Sequence, residues 1–489
     1  MFQFDNTYAR LPERFYARVA PTPVKSPRVV KVNHALAELL GVDASELLSA
    51  RGAEVLAGNV IPTGAEPIAL AYAGHQFGNF VRQLGDGRAI LLGEVVGRDG
   101  PRRDVQLKGA GRTPFSRRGD GRAAIGPVLR EYIVSEAMAA LGVPTTRSLA
   151  AVTTGEPVFR DRALPGAVLT RVAASHIRVG TFEFFAERGD REALATLASY
   201  ALCRHYPEAA GTGNDALALL ERVSDAQAAL VARWLGVGFV HGVMNTDNTT
   251  ISGETIDYGP CAFLDEFDPG KKFSSIDLQG RYAFAAQPRI AQWNLARLAE
   301  ALLPLLAEDE AAAVRLATER LDDFATRFAA KYVRVLRAKL GLLTERDDDR
   351  VLAEDLLARL AEHGVDYTVF FRRLCAAAAD PAADAELVVL FGEPDAYRSW
   401  AESWRRRLAA EPLAPAARAA AMRRANPAFI PRNHRVEEAL TAAADRADFA
   451  PFEALVSALS SPYDDQPAFA HLAEPPQPQD RVRETFCGT

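Results

Sequence analysis

The stretch LGDGRAILLGEVVGRDGPRRDVQLKGAGRTPFSRRGDGR, residues 84–122, is the part of the sequence that most strongly indicates the fold. Two runs inside it, 88–96 and 102–109, are short, partly apolar and bounded by Gly, Pro and Asp, which predicts two β-strands. A third strand is predicted at 166–173, and the apolar spacing of 127–143 predicts an amphipathic helix between them. This part of the chain is therefore predicted to be a small strand-rich region with one helix.

Beyond about residue 190 the pattern changes to helical periodicity, which is clear in 215–240, 292–321 and 351–365. The Ala-rich run 408–424 fits either a helix or a linker. A small strand-rich region followed by a large helical one predicts an α+β fold with two lobes. The predicted boundaries are 1–75 for an N-terminal extension, 76–180 for the strand-rich N-lobe, 181–460 for the helical C-lobe and 461–489 for an extended, Pro- and Asp-rich C-terminal tail.

Composition excludes several classes of protein. The 489 residues carry 57 basic and 63 acidic side chains, so the formal charge of −6 offers no positive field to nucleic acid or anionic lipid. Four scattered cysteines without a CxxC pair fit a reducing compartment and argue against a zinc ribbon. We find neither a secretory leader nor the roughly 18 consecutive apolar residues of a membrane span. We therefore expect a cytoplasmic protein that binds neither nucleic acid nor membranes.

The tripeptide Gly-Asp-Gly occurs twice in the opening stretch, at 85–87 and 119–121, with arginines on all sides. Glycines beside strands let backbone N–H groups approach an anion, and arginines add bidentate contacts to phosphate. The pattern therefore predicts a phosphate-binding loop. Two ordinary turns are the alternative, because Asp-Gly is also a common turn signal.

Lysine is rare in this chain, since only seven of the 57 basic residues are lysines, and Lys108 lies at the end of a predicted strand. A compact ammonium at that place contacts nucleotide phosphates in kinases and pairs with a carboxylate of the next helix. The helix predicted at 127–143 offers Glu131 and Glu136 for that pairing. A surface lysine that merely ends a strand is the alternative.

The segment GFVHGVMNTDNTTISGETIDYG, residues 238–259, has the order of a kinase catalytic loop, a short strand and a magnesium loop. In the kinase signature HxDxxxxN, His241 and Asn248 keep the expected spacing. Val243, however, stands where the catalytic Asp is expected. The sequence thus predicts a kinase-like catalytic loop that lacks the usual catalytic aspartate.

Three polar residues of this segment remain available for chemistry. Asn248 and Asp257 supply hard oxygen ligands, which suit Mg²⁺ because this ion binds through few side chains plus phosphates. Asp247 is the acid nearest to the missing base, and it is predicted to accept a proton from an incoming hydroxyl. A loop carboxylate that only closes a turn is the alternative for Asp247.

Arg171 lies near the end of the strand predicted at 166–173, and Arg178 follows seven residues later, near the connection between the lobes. Adenine lies there in an ordinary kinase and needs no cations. Phosphates at this place would mean that the nucleotide is turned around and presents a different phosphorus to the acceptor. Pairing of both arginines with acids of the helical lobe is the alternative.

Several long segments together resemble the selenoprotein O family: AYAGHQFGNFVRQLGDGRA, QLKGAGRTPFSRRGDGRA, REYIVSEAM, PTTRSL, HGVMNTDNTTI and IDYGPCAFLDEFDPG, with a cysteine third from the end. The similarity extends over nearly the whole chain. It implies a protein-kinase-like two-lobe fold with an N-terminal extension. It also implies an enzyme that binds ATP in an inverted orientation, transfers AMP to Ser, Thr or Tyr hydroxyls of proteins, and releases pyrophosphate.

The resemblance also assigns roles to residues. It implies that Asp247 is the proton acceptor, that Asn248 and Asp257 bind Mg²⁺ (or Mn²⁺), and that Glu131 pairs with Lys108. The nucleotide contacts that it implies are Gly85, Gly87, Arg88, Lys108, Asp120, Gly121, Arg171, Arg178 and Asp257.

The family's C-terminal cysteine, here Cys487, is expected to pair reversibly with a cysteine of the activation segment. Cys261 is the candidate by sequence order, and a small residue packed under the loop is the alternative for it.

Two other functions stay open at this point. One is a protein kinase that uses Asp247 as a displaced base, and the other is a non-catalytic pseudokinase scaffold, which Val243 suggests. For the transferase we expect protein substrates, ATP with Mg²⁺ as cofactors, and a monomer.

Overall fold

The computed structural model of the protein describes residues 1–486. In that part of the chain most strands lie before residue 174 and helices dominate afterwards, which confirms the α+β class. The strands are β1 (Tyr16–Arg18), β2 (Arg28–Val32), β3 (Ile68–Leu70), β4 (Gly74–Gln76), β5 (Asn79–Val81), β6 (Ala89–Val96), β7 (Arg102–Lys108), β8 (Ala123–Ala124), β9 (Arg147–Phe159), β10 (Ala163–Ala173), β11 (Phe239–Val240) and β12 (Ala262–Phe263).

The α-helices vary from one turn to more than eight. They are α1 (His34–Leu39), α2 (Ala44–Leu48), α3 (Ala50–Leu56), α4 (Ile125–Ala140), α5 (Val179–Ala186), α6 (Arg191–His205), α7 (Asp215–Gly236), α8 (Gln287–Leu306), α9 (Glu310–Leu340), α10 (Asp349–Glu362), α11 (Tyr367–Ala377), α12 (Asp384–Phe391), α13 (Pro394–Leu408), α14 (Pro415–Arg423), α15 (Asn433–Arg446), α16 (Ala450–Leu459) and α17 (Ala470–Ala473). Within residues 1–486, none of them is both long enough and apolar enough to cross a bilayer.

Eight strands form one antiparallel sheet in the order β1-β3-β6-β7-β10-β9-β2, with β8 paired to β10. The two strands predicted from the opening stretch, β6 and β7, lie next to each other near its middle. The register places Lys108 opposite Ala89 on one side and Leu169 on the other. Strands from the first 75 residues form both edges, β1 on one side and β2 on the other.

Helix α4 forms over Ile125–Ala140, close to the predicted 127–143, and most of its residues are buried. One side of it packs on the sheet, and another packs on apolar residues of α15 and α16 such as Val436 and Phe452. Part of the C-terminal third of the chain therefore packs against the strand-rich region rather than against the other helices.

Some local predictions differ from the structure. The periodic segment 292–321 is split between α8 and α9, because Asp309 accepts a hydrogen bond from the Ala312 amide and begins a new helix. The Ala-rich run 408–424 lies mostly in α14, so it is a helix rather than a linker. The short strand predicted between Asn248 and Asp257 is absent, since this segment makes only isolated bridges at Thr250 and Thr255.

The tail is less extended than predicted. It contains the short helix α17, and Leu472 of that helix is buried in the cluster around α4. Further on, Thr485 forms a bridge to Ser274 and donates from Oγ1 to the carbonyl of Pro260 at 2.6 Å. The tail thus returns to the loops that follow β11.

Candidate active site

A cleft of about 1270 Å³ lies between the sheet with α4 and the loops of residues 243–260. All twelve residues predicted to bind nucleotide or metal, to pair with Lys108 or to accept the proton line this one cleft. They are Gly85, Gly87, Arg88, Lys108, Asp120, Gly121, Glu131, Arg171, Arg178, Asp247, Asn248 and Asp257.

Lys108, at the end of β7, has two carboxylate partners. Its Nζ donates to Glu131 Oε2 at 2.6 Å and to Asp257 Oδ1 at 2.7 Å. The other glutamate of the helix, Glu136, binds Arg147 instead at 2.6 Å. The lysine is therefore held between α4 and the loop of Asp257, with its ammonium facing the cleft.

Two buried arginines surround the same carboxylate. Arg171 Nη1 donates to Asp257 Oδ1 at 2.7 Å and to Glu131 Oε1 at 3.2 Å, while Arg178 Nη1 lies 3.6 Å from Asp257 Oδ2. Asp257 itself has a left-handed backbone, with φ of 63°. Burial raises the pKa of this carboxyl, but the charges of Lys108, Arg171 and Arg178 outweigh burial and hold the pKa well below its usual value. Asp257 is thus ionised inside a ring of three cations.

Each arginine is also fixed by neutral groups. Gln106, on β7, accepts two hydrogen bonds from Arg171, at 2.7 Å to Nη2 and 3.2 Å to Nε. The guanidinium of Arg178 lies 4.5 Å from the ring centre of Tyr72 and donates to the backbone carbonyl of Asp247 at 3.1 Å. Both arginines do pair with an acid, as the alternative interpretation held, but that acid is the predicted metal ligand of the cleft.

Asp247 lies in a single 3₁₀ turn, Thr246–Asn248, and only 7% of the residue is exposed. Its Oδ2 accepts a hydrogen bond from Gln76 Nε2 at 3.1 Å, whereas Oδ1 has no hydrogen-bond partner among the described residues. Burial raises the pKa of Asp247 to about 6. The arrangement leaves one buried carboxylate oxygen able to accept a proton.

The hairpin β4–β5 holds this turn in place. The amide of His75 donates to Thr246 Oγ1 at 2.7 Å, and the amide of Phe77 donates to Asn245 Oδ1 at 3.0 Å. Gly74 packs so tightly on the turn that an added Cβ would lie 2.8 Å from Asp247 Oδ1. The hairpin therefore fixes both the backbone and the carboxylate of the turn.

The donor set fits a divalent cation held by few protein ligands. Asn248 Nδ2 donates to the carbonyl of Val243 at 3.0 Å, which orients the amide in the wall of the cleft, and Asp257 lines the same wall. Residues 1–486 contain no cluster of three or more His, Cys, Asp or Glu that could hold a metal without substrate. Mg²⁺ does not need such a cluster, because it commonly keeps waters and phosphate oxygens as ligands.

The two Gly-Asp-Gly tripeptides play different parts. Asp86 of the first is buried and accepts hydrogen bonds from the Leu70 amide and from Gln106 Nε2, both at 3.1 Å, so it fixes the sheet rather than a ligand. Asp120 of the second is exposed and pairs with Arg160 at 2.8 Å. Gly121 has φ of 70°, and a Cβ there would lie 2.2 Å from the backbone of Gly111. Only glycine allows this close crossing of the loop.

Further arginines line the cleft, and Arg88, Arg117 and Arg118 are among those without an ion pair to any described residue. They contrast with Arg171 and Arg178, which both pair with Asp257. Unpaired guanidinium groups at a cleft favour an anionic ligand, because phosphate offers the bidentate partner they lack.

Only one cysteine of the predicted pair lies among the described residues. Cys261 is buried beside Pro260, the residue that Thr485 reaches. Cys487 lies outside the described residues, so the reversible pairing of Cys261 with Cys487 stays a prediction.

Sequence reasoning missed four residues that shape the site. Asp86 and Gln106 brace the strands, Tyr72 stacks on Arg178, and Gln76 binds Asp247. Tyr72 and Gln76 lie in the segment AYAGHQFGN, which carried the family resemblance but received no role. Their partners lie far away along the chain, so only the folded structure pairs them.

We expect Gln76→Leu to slow turnover by about tenfold to a hundredfold with little change in the KM for ATP, because the Asp247 carboxylate loses the hydrogen bond that orients it. Steady-state kinetics with varied ATP checks this. The control is Gln83→Leu, since Gln83 is exposed and meets only Arg188, at 3.2 Å. Equal turnover of the two variants would contradict the role of Gln76.

An α+β protein with a deep cleft, three cations around a carboxylate and unpaired arginines belongs to the class of enzymes that act on phosphates. Comparison with known proteins narrows this class. Residues 1–460 match the family model "Protein adenylyltransferase SelO". The chain is 64% identical to "Protein nucleotidyltransferase YdiU" of Methylorubrum populi and 63% identical to the protein of the same name in Rhodopseudomonas palustris. Both matches cover 100% of this chain and 99% of the relative.

The chain therefore belongs to the SelO family of protein adenylyltransferases. The resemblance inferred from the sequence is confirmed, and so is its expectation of an enzyme of the nucleotidyltransferase class. The kinase and scaffold interpretations are not supported.

Proposed function

We propose that the cleft binds ATP and that the protein transfers AMP to Ser, Thr or Tyr hydroxyls of other proteins. The observation that carries the proposal is the ring of Lys108, Arg171 and Arg178 around Asp257. Three cations concentrated on one wall fit the negative charge of a triphosphate better than that of a single phosphate. ATP is the nucleotide that the adenylyltransferase family implies.

The proposal includes a protein-kinase-like arrangement of two lobes. The antiparallel sheet, the Lys108–Glu131 pair of 2.6 Å and the order of the loops at 241–248 and 257–259 support it. In this arrangement 76–180 form the small lobe, and 181–460 form the large one. The N-terminal extension 1–75 then supplies the edge strands of the small lobe, and the tail that begins at 461 contacts the large lobe at Thr485. The protein acts as a monomer, because one chain supplies all twelve cleft residues.

Buried Arg171 and Arg178 also support an inverted nucleotide. Arg171 lies in β10 and Arg178 directly precedes α5, and both side chains are buried in the wall of the cleft. An ordinary kinase binds the adenine at this place. Cations there suit phosphates, so the α-phosphorus rather than the γ-phosphorus faces the acceptor. We assign the unpaired Arg88, together with Gly85, Gly87, Asp120 and Gly121, to the remaining contacts with the nucleotide.

Asn248 and Asp257 would hold Mg²⁺, with Mn²⁺ as the alternative, and the metal would neutralise charge on the phosphates. Asp247 Oδ1 accepts the proton of the acceptor hydroxyl, and the hydroxyl oxygen then bonds to the α-phosphorus. The bond from the α-phosphorus to the bridging oxygen breaks, and pyrophosphate leaves. Lys108, Arg171 and Arg178 stabilise the charge that develops on pyrophosphate. The products are an AMP ester of the protein and pyrophosphate.

Parallel reactions with α-labelled and γ-labelled ATP test this function. We expect protein acceptors in a nucleotide-depleted bacterial extract to become labelled from α-labelled ATP and not from γ-labelled ATP, because AMP retains only the α-phosphorus. Each reaction is run with Mg²⁺, with Mn²⁺ and with a chelator, and the chelator is expected to remove the label. Label from the γ position alone would instead indicate a kinase, and no label from either would indicate a scaffold.

A further inference from the structure

Three large apolar side chains are exposed at the edge of the cleft. Ile276 is 61% exposed, Leu278 is 82% exposed and Phe486 is 69% exposed. Ile276 and Phe486 line the same cleft as Asp247, and Leu278 follows two residues after Ile276. We call these three residues the apolar rim. Large apolar groups left in water beside a catalytic cleft are typical of a surface that another molecule covers.

The loop of the apolar rim has a fixed backbone. Asp277 is buried between Ile276 and Leu278, and its carboxylate accepts from the amides of Arg281 at 2.9 Å and Tyr282 at 2.8 Å. Lys272 Nζ donates to the carbonyl of Leu278 at 2.9 Å. These hydrogen bonds hold the backbone around Asp277, whose side chain is buried while those of Ile276 and Leu278 are exposed.

The tail holds the third member of the rim against this loop. The amide of Thr485 donates to the carbonyl of Phe273 at 2.7 Å, and the amide of Ser275 donates to the carbonyl of Thr485 at 3.1 Å. Thr485 itself is buried, while the next residue, Phe486, is exposed. Two segments far apart in sequence thus bring exposed apolar side chains to the same side of the cleft.

The loop is also connected to the proposed base. Tyr282 donates from its amide to the Asp277 carboxylate and from its hydroxyl to Asn245 Oδ1 at 2.7 Å. Asn245 precedes the 3₁₀ turn that contains Asp247. Two hydrogen bonds of Tyr282 therefore connect the loop of the apolar rim to the turn that contains Asp247.

We propose that the apolar rim is the docking surface for the acceptor polypeptide and takes a large apolar side chain located within a few residues of the modified hydroxyl. The inference rests on the proposed function, because a protein acceptor must enter this cleft. A triphosphate gains little binding free energy from contact with exposed Leu and Phe, because it has no apolar surface to bury. A polypeptide segment can bury these side chains against its own apolar residues. The unpaired arginines that suit phosphate lie elsewhere, since Arg88 directly precedes β6 and Arg117 and Arg118 lie in the 109–122 loop.

The test replaces rim residues by aspartate. We expect Leu278→Asp to lower AMP incorporation into proteins of a bacterial extract by about tenfold, and Ile276→Asp with Leu278→Asp to lower it further. ATP binding, measured by calorimetry, stays within twofold of the wild type. The matched control is Val389→Asp, since Val389 is 76% exposed and lies on α12, which contains neither residues of the cleft lining nor the loop of the apolar rim. Thermal unfolding of each variant verifies that the fold is kept.

Mass spectrometry of the modified proteins gives a second readout. We expect large apolar residues to be enriched near the AMP-bearing hydroxyls for the wild type, and this enrichment to weaken for Leu278→Asp. Equal incorporation by Leu278→Asp and Val389→Asp would overturn the proposal, as would a parallel loss of ATP binding. A wild-type dimer that Leu278→Asp dissociates without changing incorporation would overturn it too, because the rim would then bind a second copy. A wild type without any label from α-labelled ATP would instead refute the proposed function.

Discussion

Asp257→Ala is expected to reduce AMP transfer by at least about a thousandfold, which is a loss to background in a labelling assay. Its carboxylate is the common partner of Lys108, Arg171 and Arg178, at 2.7, 2.7 and 3.6 Å. Removal of Asp257 takes away a proposed metal ligand and also the group that holds the three cations in one arrangement. Both effects act on the bound phosphates, so no residue nearby can replace it.

The same substitution is expected to destabilise the folded protein without nucleotide. Three neighbouring cations lose an anion, and only Glu131 remains to compensate Lys108 and Arg171. Loss of one partner of a buried ion pair costs up to about 3 kcal/mol, which lowers the midpoint of thermal unfolding. Binding of ATP should raise the midpoint of the wild type more than that of the variant.

Incorporation from α-labelled ATP and thermal unfolding measure both effects of Asp257→Ala. Asp99→Ala is the matched control, because Asp99 is an exposed carboxylate that pairs with Arg103 at 2.6 Å in a turn that does not line the cleft. Asp99→Ala should keep wild-type activity. If Asp257→Ala retained more than a tenth of the wild-type incorporation, the assignment of Asp257 to metal and phosphate binding would be wrong.

Asp247→Asn is expected to lower the rate of transfer by about a hundredfold to ten-thousandfold, the usual contribution of a general base. The amide has the shape of the carboxylate and can still accept from Gln76, so the turn and the KM for ATP should change little. Single-turnover kinetics with pre-bound ATP isolates the chemical step from binding. An unchanged rate would assign proton transfer to another group.

Asp247→Asn is not expected to lower the stability of the folded protein, in contrast to Asp257→Ala. Asp247 is a buried charge with one oxygen lacking a hydrogen-bond partner among the described residues, and burying such a charge costs free energy. The neutral amide avoids part of this cost, so the unfolding midpoint should stay equal or rise. A residue that lowers stability while it serves the reaction is expected of an active site rather than of a structural turn.

The sequence predicted the residues that line the cleft better than the residues that hold them in place. Strands β6 and β7 and helix α4 follow from local patterns, because each depends on neighbours along the chain. The local patterns left both Glu131 and Glu136 as partners of Lys108, and the family resemblance implied Glu131, which lies 23 positions away. The contact of Gln76 with Asp247 could not be predicted this way, since the two residues are 171 positions apart. The contacts of Asp86 with Leu70 and Gln106 were not predicted either, because these residues lie 16 and 20 positions away from it.

The placement of the first strands has a consequence for synthesis of the chain. Strand β2 pairs with β9 in a register that sets Arg28 opposite Thr153, about 125 residues later. At ordinary rates of translation the ribosome needs roughly 6 to 25 seconds to make that length. During this time the segment has no strand partner, and an unpaired strand is prone to wrong association. The segment of β2 is therefore expected to be open to wrong association during synthesis, before β9 is made and pairs with it.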